Sequence, residues 1–254
     1  MGPSPGHQTF VKQQYDQGIV DGFWLYVPAH YQHKKKYPII LFLTGGRTAA
    51  TSNFYDARDH GPSKFLGDAE VNYSVRAFLQ DSFLIVNPHM KVGGVEARQW
   101  NQYSKELIYA LHQVDRDFPV DWDRVYLTGI SRGAHGAWGV AKDYPDYFAA
   151  IAPLAGQLNC KLACEAIDWI PKWLFHGDKD QSIDINYSWE IIHRMESQGI
   201  NFHHYKDLNI MQDDLNYPFL FTQFDGRGHD IWDDVYADPH FYQWLLKQKV
   251  SQRE

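Results

Sequence analysis

Short, almost wholly apolar runs recur along the chain and alternate with segments that repeat apolar residues at helical spacing. The runs are IILFL (39–43), FLIV (83–86), VYLT (125–128), AAIAPLA (149–155), WLF (173–175) and FLFTQF (219–224). Most of them do not alternate polar and apolar positions, which is typical of strands that are covered on both faces in a parallel sheet. The pattern therefore predicts a mostly parallel sheet with helices on both of its faces.

Three helices are predicted between and after these runs. The segment SKELIYALHQVDRDF presents one apolar face, formed by Leu107, Leu111, Val114 and Phe118. A second helix is predicted in SWEIIHRMESQG, where Gly199 closes it. The last helix is predicted to begin with Asp238 as its cap and Pro239 in its first position.

The alternation of strands and helices predicts one doubly wound α/β domain over residues 1–254. The segment GFWLYVPAHY (22–31) alternates polar and apolar residues better than the other runs, so it predicts an antiparallel strand at the start of the sheet. Residues 1–9 are expected to be flexible or left over from cloning. The segment 201–218 enters from the end of the sheet opposite to the site, so we expect it to serve packing or a homodimer rather than a substrate lid.

The composition and net charge argue against some classes of binding partner. The net charge of −7 argues against a nucleic acid, and no stretch approaches the roughly 20 apolar residues of a membrane span. The chain starts without the apolar core of a signal peptide, so its location stays open, with the cytoplasm slightly preferred. Cys160 and Cys164 are too few for a disulfide scaffold or a four-cysteine zinc site, and their pairing is left open.

The stretch VYLTGISRGAHGAWG places Ser131 in a G-x-S-x-G pattern, after a buried strand and before a segment of helical length. Gly129 and Gly133 leave room for a strained strand-to-helix turn that exposes the serine hydroxyl. The helix is expected to approach the strands through small residues, namely Gly133, Ala134, Gly136, Ala137 and Gly139. Ser131 is therefore the predicted nucleophile, and a serine that merely caps a buried helix is the alternative.

A nucleophilic serine on such a turn requires an acid and then a histidine further along the chain. His229 follows the last apolar run in the glycine-containing loop DGRGHDIW, at the carboxyl end of a strand, so it is the predicted base. His135 is held by the helix that follows the serine, and His176 ends a strand but precedes the acid candidates. Of the aspartates that follow WLF, Asp180 is the predicted acid, because a short turn lets it reach inward.

The neighbouring acidic residues have other expected roles. Asp178 suits bracing of its own turn, and Asp184 is a further candidate for the acid. A second group of histidines and aspartates does not have the sequence spacing of a recognised metal-binding motif: His203, His204, Asp213 and Asp214. Neither a metal nor another cofactor is therefore predicted.

The strings DRVYLTGISRGAHGAW, FHGDKD, GHDIWDDVYADPHFYQWLL and DHGPSKF resemble small α/β-hydrolases of the carboxylesterase, phospholipase and dienelactone-hydrolase group. Within that group the chain is most similar to the branch of peptidases or esterases related to polyhydroxybutyrate depolymerases and feruloyl esterases. The resemblance covers nearly the whole chain and implies an α/β-hydrolase fold without a large cap domain. It also implies Ser131 as nucleophile, Asp180 as acid and His229 as base. Dienelactone hydrolases carry a cysteine nucleophile, so the serine disfavours that activity.

An oxyanion hole is expected from two backbone amides. One belongs to Arg132, and the resemblance assigns the other to Gly46, with Gly45 as the alternative. Relatives usually carry a histidine where this chain has Thr44, a change that leaves a backbone donor in place. The Arg132 side chain is expected to brace the site rather than recognise substrate. The pocket is expected to be open and lined by Thr44, Gly45, Phe54, Tyr55, Trp100 and Trp232.

Together these features predict a serine carboxyl-ester hydrolase that works through a covalent acyl-enzyme. The expected partner is a small-molecule ester with a short-chain or aryl group, feruloyl-type esters included. A serine peptidase of the prolyl-oligopeptidase type is the first alternative. The second is a non-catalytic binding protein with the same fold.

Overall fold

The computed structural model describes residues 2–15, 18–46, 56–67, 73–90, 99–158 and 164–253. The strands are β1 (Gln8–Lys12), β2 (Val20–Tyr26), β3 (Tyr37–Leu43), β4 (Leu84–Met90), β5 (Val120–Ile130), β6 (Ala150–Leu154), β7 (Lys172–Gly177), β8 (His203–Lys206) and β9 (Phe219–Phe224). The α-helices are α1 (Tyr73–Ser82), α2 (Ser104–Asp117), α3 (Arg132–Asp143), α4 (Asn186–Glu196), α5 (Trp232–Tyr236) and α6 (Pro239–Lys247). Short 3₁₀ helices cover Asp56–Arg58, Gly61–Leu66, Trp100–Tyr103, Pro145–Tyr147, Cys164–Ile167, Gln212–Asn216 and Val250–Gln252.

All the described strands join one sheet in the order β1-β2-β4-β3-β5-β6-β7-β9-β8. β2 runs antiparallel to both of its neighbours, whereas every pairing from β4 across to β8 is parallel. The mostly parallel sheet and the antiparallel strand in GFWLYVPAHY are thus confirmed. Because the parallel strands run in the same direction, their carboxyl ends meet at one edge of the sheet.

β3 illustrates why the apolar runs do not alternate. Ile39, Leu41 and Leu43 join the core on the face that carries α2, α3 and α4. Ile40 and Phe42 join the core on the other face, against α1 and α6. Full burial of each such side chain contributes about 1.5–3 kcal/mol, so both faces of the strand favour the fold. Helices on both faces are therefore confirmed.

The three helices predicted from the sequence correspond to α2, α4 and α6. α2 buries Leu107, Leu111 and Val114 on its predicted face. Gly199 follows α4 with a φ of +87°, a conformation that glycine adopts without a side-chain clash. The Asp238 carboxylate caps α6 by accepting a hydrogen bond from the His240 amide at 2.9 Å. Among the described residues, no helix has the length and apolar character needed to cross a membrane.

The first residues of the chain differ from the sequence prediction. Residues 1–9 are expected to be flexible, yet Gln8 and Thr9 pair with Tyr26 and Leu25 between β1 and β2. Just before them, the Gly6 amide donates to the carbonyl of residue 27 at 2.9 Å. β1 is only half-buried and has no apolar run, so the pattern of the sequence gives little sign of it.

The segment 201–218 contains an edge strand that the sequence analysis does not predict. β8 pairs in parallel with β9 and has alternating burial, with charged or polar residues at three of its positions. After it, Leu215 is fully buried, and the Trp244 indole donates to the Tyr217 carbonyl at 2.9 Å. These contacts support the packing role that was expected for the segment.

Candidate active site

Ser131 lies at the junction of β5 and α3, in a strained backbone conformation. Its φ of 53° and ψ of −116° fall outside the regions that non-glycine residues favour. A Cβ on Gly133 would overlap the Leu43 carbonyl oxygen, and a Cβ on Gly129 would lie 2.5 Å from the Gly133 carbonyl oxygen. Both glycines are therefore needed for the close contact that turns the chain from strand to helix.

The small residues of α3 allow two different segments to pack closely against the helix. Gly133 approaches the end of β3, as the sequence analysis expects. A Cβ on Gly136 would instead overlap Trp100, and one on Gly139 would overlap Asn101. The prediction that all of these glycines face the strands is therefore wrong. Gly136 and Gly139 make room for the 3₁₀ helix at residues 100–103, because Trp100 and Asn101 pack directly on the backbone of α3 at these two positions.

The structure brings Ser131, His229 and Asp180 together at the carboxyl edge of the sheet. The Ser131 Oγ lies 2.8 Å from His229 Nε2, and His229 Nδ1 lies 2.7 Å from Asp180 Oδ2. The Asp180 side chain is 0% exposed, and the His229 side chain is 22% exposed. A carboxylate can only accept from Nδ1–H, so Nε2 is left free to accept the serine proton.

The buried Asp180 carboxylate is held by backbone donors. Its Oδ1 accepts hydrogen bonds from the amides of Ser182 at 2.8 Å and Ile183 at 3.0 Å. These bonds compensate for the water that the carboxylate loses on burial. The short turn after β7 thereby directs the other oxygen, Oδ2, toward His229.

The loop that carries the acid is joined to the loop that carries the histidine. The Lys179 amide donates to the Arg227 carbonyl at 2.8 Å, and the Asp178 carboxylate accepts from the Gly226 amide at 2.7 Å. Asp178 therefore braces the neighbouring loop, whereas the sequence analysis expects it to brace its own turn. These bonds fix the separation between the two loops, because each lies directly after one of the paired strands β7 and β9.

The Arg132 side chain connects the two turns that are expected to supply the oxyanion donors. Arg132 is the first residue of α3, where helical amides have no acceptor within the helix. Its guanidinium Nη1 lies 3.5 Å from the Gly46 carbonyl oxygen, which places the Gly46 turn against the nucleophile turn. The positive end of the α3 dipole also favours negative charge at this point.

Some of the residues that are expected to line the substrate pocket are buried inside the protein. Thr44 and Gly45 are buried, and Trp100 is fully buried with its indole donating to the Thr44 carbonyl at 2.9 Å. These residues support the turn from beneath instead of presenting surface to a substrate. Trp232 is partly exposed, and its ring stands edge-on to His229 at a centroid distance of 5.6 Å. Phe54 and Tyr55 lie outside the described residues.

The His135 ring takes no part in the chain of contacts that joins Ser131, His229 and Asp180. Burial lowers the pKa of His135, an effect that its hydrogen bond to Gln157 partly offsets. Within the described residues, no group of three or more histidine, cysteine or acidic side chains is arranged to hold a metal ion, and this includes His203 and His204. Cys160 lies outside the described residues, as does the side chain of Cys164.

Two large cavities among the described residues are lined by none of the three triad residues. One of about 830 Å³ is lined by Pro171 and Pro218, which precede β7 and β9, so it opens at the edge opposite Ser131. The second, of about 540 Å³, follows α3 and begins at His135, one helical turn after the nucleophile. The larger of the two cavities is therefore far from the serine, and the mutual contacts of Ser131, His229 and Asp180 define the candidate site.

A serine on a strained strand-to-helix turn, with a histidine and an aspartate on the next loops of this sheet, defines a serine hydrolase of the α/β-hydrolase fold. The family model Esterase, described as "Putative esterase", matches residues 22–213, so the chain belongs to this family. That range includes Ser131 and Asp180 and ends before His229. The described residues show no large cap on the sheet.

The chain is similar to several characterised proteins at low sequence identity. It is 22% identical over 165 residues to "Dipeptidyl-peptidase 5" of Porphyromonas gingivalis, a match that covers 61% of this chain and 22% of that protein. It resembles a thermostable esterase with a TM-score of 0.72 and 19% identity, over 96% of this chain and 62% of the other. It also resembles a mutant feruloyl esterase module from Clostridium thermocellum complexed with sinapinate, with a TM-score of 0.64 and 19% identity. This match covers 96% of this chain and 89% of the module.

Proposed function

We propose that the chain hydrolyses carboxyl esters with Ser131 as nucleophile, His229 as base and Asp180 as acid. The observation that carries the proposal is the continuous chain of contacts from Ser131 Oγ through His229 to Asp180, at 2.8 and 2.7 Å. Asp180 holds the imidazole in the tautomer whose Nε2 accepts a proton, and it stabilises the imidazolium that forms. The burial of Asp180 strengthens this interaction, because little water screens it.

Each step of ester hydrolysis can then be assigned to a group of the protein. Ser131 Oγ attacks the ester carbonyl as its proton moves to His229 Nε2, and the oxygen of the tetrahedral intermediate accepts from the amides of Arg132 and Gly46. The intermediate collapses to an acyl-serine as His229 returns the proton to the departing alcohol. Water then attacks the acyl-serine with the same base, which releases the carboxylic acid and restores Ser131.

We propose short-chain or aryl esters as substrates, with feruloyl-type esters among them. Trp232 supports this class, because its partly exposed indole stands edge-on to His229 and offers an apolar surface next to the reacting atoms. The feruloyl esterase module among the structural neighbours is complexed with sinapinate, an aryl acid, and it shares the fold with this chain. Fold alone does not choose a substrate, so the class rests on the position of Trp232.

Peptide hydrolysis is the second candidate, and the similarity to "Dipeptidyl-peptidase 5" favours it. The chain spans about a fifth of that relative's length, so the activity of the whole relative is only a proposal for this chain. Esters have a better leaving group than amides, and they need less proton donation from His229. Comparing p-nitrophenyl butyrate with dipeptide p-nitroanilides separates the two, and we expect turnover of the ester alone.

The proposal is tested by measuring hydrolysis of p-nitrophenyl acetate and butyrate by the wild type and Ser131→Ala. We expect Ser131→Ala to lower kcat by roughly 10⁴–10⁶-fold, because the covalent step is lost. Ser197→Ala is the matched control, since Ser197 is exposed at the end of α4 and its hydroxyl donates to the Arg194 carbonyl in the same helix. Circular dichroism checks that all three proteins fold. Equal rates for wild type and Ser131→Ala contradict the proposal.

A further inference from the structure

A second buried histidine lies directly behind the acid of the triad. His176 occupies β7, four residues before Asp180, and its side chain is 0% exposed. Chain order excludes it as the base, and His229 occupies the position next to the serine. The reaction proposed above therefore leaves a buried, titratable ring without a role.

The partners of the ring define which nitrogen carries its proton. His176 Nε2 lies 2.9 Å from the Ile183 carbonyl oxygen, which can only accept, so Nε2 is the protonated nitrogen. His176 Nδ1 lies 2.8 Å from Ser188 Oγ at the start of α4, and the hydroxyl donates to it. One neutral tautomer satisfies both contacts, and burial lowers the pKa of His176, which favours that neutral form.

The same Nε2 also lies close to the catalytic carboxylate. It lies 3.3 Å from Asp180 Oδ2, the oxygen that also contacts His229 Nδ1 at 2.7 Å. Ile183 is held on both sides, because its amide donates to Asp180 Oδ1 at 3.0 Å and its carbonyl accepts from His176. His176 therefore acts on both oxygens of Asp180, on Oδ2 directly and on Oδ1 through the backbone of residue 183.

We propose that His176 is a positioning residue that orients the Asp180 carboxylate, so that Oδ2 points at His229 Nδ1. The inference rests on the proposed function, since it assigns a partner to the acid of that triad. A neutral ring supplies one N–H donor without placing a second positive charge beside Asp180. A charged ring at the same distance would compete with the imidazolium of His229 for the carboxylate.

Two substitutions of similar polarity separate this role from a general loss of packing. The amide nitrogen of a glutamine reaches the place of a histidine Nε2, whereas that of an asparagine stops near the place of Nδ1. We expect His176→Asn to lower kcat on p-nitrophenyl butyrate by about tenfold or more, the size expected for one hydrogen bond to a charged group. We expect His176→Gln to retain kcat within about threefold, and KM to stay unchanged in both.

The control is Gln113→Leu, which removes partly buried hydrogen bonds between α2 and the Lys12–Gln14 segment and touches no triad residue. It should lower the free energy of unfolding without changing kcat. A double-mutant cycle with Asp180→Ala completes the test, because a residue that acts through Asp180 has no further effect once the carboxylate is gone. We expect His176→Asn to change the residual kcat of Asp180→Ala by less than about twofold.

The outcomes distinguish this inference from the proposed function. If Ser131→Ala is as active as the wild type, the proposed function is wrong and the inference falls with it. If Ser131→Ala is inactive but His176→Asn keeps the wild-type kcat, only the positioning role is wrong. An equal effect of His176→Asn in the wild-type and Asp180→Ala backgrounds also overturns the inference.

Discussion

The side chain of Arg132 lies across the turn that carries Gly46. A Cβ added to Gly46 would lie 2.8 Å from the guanidinium carbon, so the side chain covers this turn closely. Its contact with the Gly46 carbonyl, at 3.5 Å, is long for a hydrogen bond and contributes little energy by itself. The geometry is more consistent with bracing of the oxyanion turn than with recognition of a substrate.

Arg132→Ala is therefore expected to lower kcat by about three- to tenfold and leave KM for small esters unchanged. The variant keeps the backbone amide of residue 132 but loosens the turn that positions the second donor. Steady-state kinetics with p-nitrophenyl acetate measure both constants. Arg124→Ala serves as the control, because Arg124 pairs with Asp121 in β5 at the surface. A raised KM with unchanged kcat would show that Arg132 binds substrate instead.

At the scale of elements, the site depends on the close approach of the loops after β7 and β9. A Cβ on Gly177 would overlap the Gly228 carbonyl oxygen and lie 2.5 Å from the Arg227 carbonyl oxygen. Both of these neighbours are backbone atoms, so they cannot move aside as a flexible side chain can. The absence of a side chain at Gly177 is thus a condition for bringing Asp180 and His229 together.

Gly177→Ala is expected to push the two loops apart and to lower both stability and activity. Overpacking of this kind typically costs about 1–3 kcal/mol of the free energy of unfolding. Urea unfolding measures the loss of stability, and ester hydrolysis measures the loss of kcat. Gly67→Ala is the matched control, because its Cβ would meet only the Lys64 carbonyl at an ordinary 3.5 Å. Wild-type kcat in Gly177→Ala would contradict the requirement for close approach.

The sequence predicts the elements that are long or buried on both faces and misses those that are short and half-buried. β3 and the second half of β5, residues 125–130, are buried on both faces, so their sequences differ clearly from those of loops. β1 and β8 have five and four residues with partial burial, and they form because a neighbouring strand supplies the hydrogen bonds. Such pairing depends on tertiary contacts that no local pattern records.

The candidate site shows a similar division. Ser131, Asp180 and His229 could be proposed because each follows an apolar strand, and the chain order of the residue types is distinctive. The position of His176 in FHGDKD gives its spacing from Asp180, but not the partners of its ring. Those partners, Ile183 and Ser188, come from the turn after β7 and the start of α4. Likewise, the burial of Trp100 follows from its packing on α3 rather than from its own segment.

At the scale of the whole molecule, the buried His176 and the half-buried His135 couple stability to pH. Burial lowers the pKa of both His176 and His135 in the folded protein. In the unfolded chain each titrates near the ordinary value of about 6.5. Below that pH the unfolded state binds protons that the folded state does not, so the free energy of unfolding falls as the pH drops toward the folded-state pKa. At pH values well above about 6.5 both states are neutral, and this contribution is constant.

We therefore expect the free energy of unfolding to be lower at pH 5.5 than at pH 7.5, and the difference to shrink in His176→Gln. One pH unit below 6.5, a single buried histidine contributes at most about 1.4 kcal/mol to this difference. Urea unfolding at both pH values measures it, and any pH-independent cost of the substitution cancels. Carboxyls with lowered pKa, such as Asp81 and Asp123, titrate below this window. The control is His7→Gln at an exposed site, which should leave the difference in the free energy of unfolding between the two pH values unchanged. If His176→Gln and the wild type show the same difference, His176 takes up its proton equally in the folded and unfolded states and the prediction is wrong.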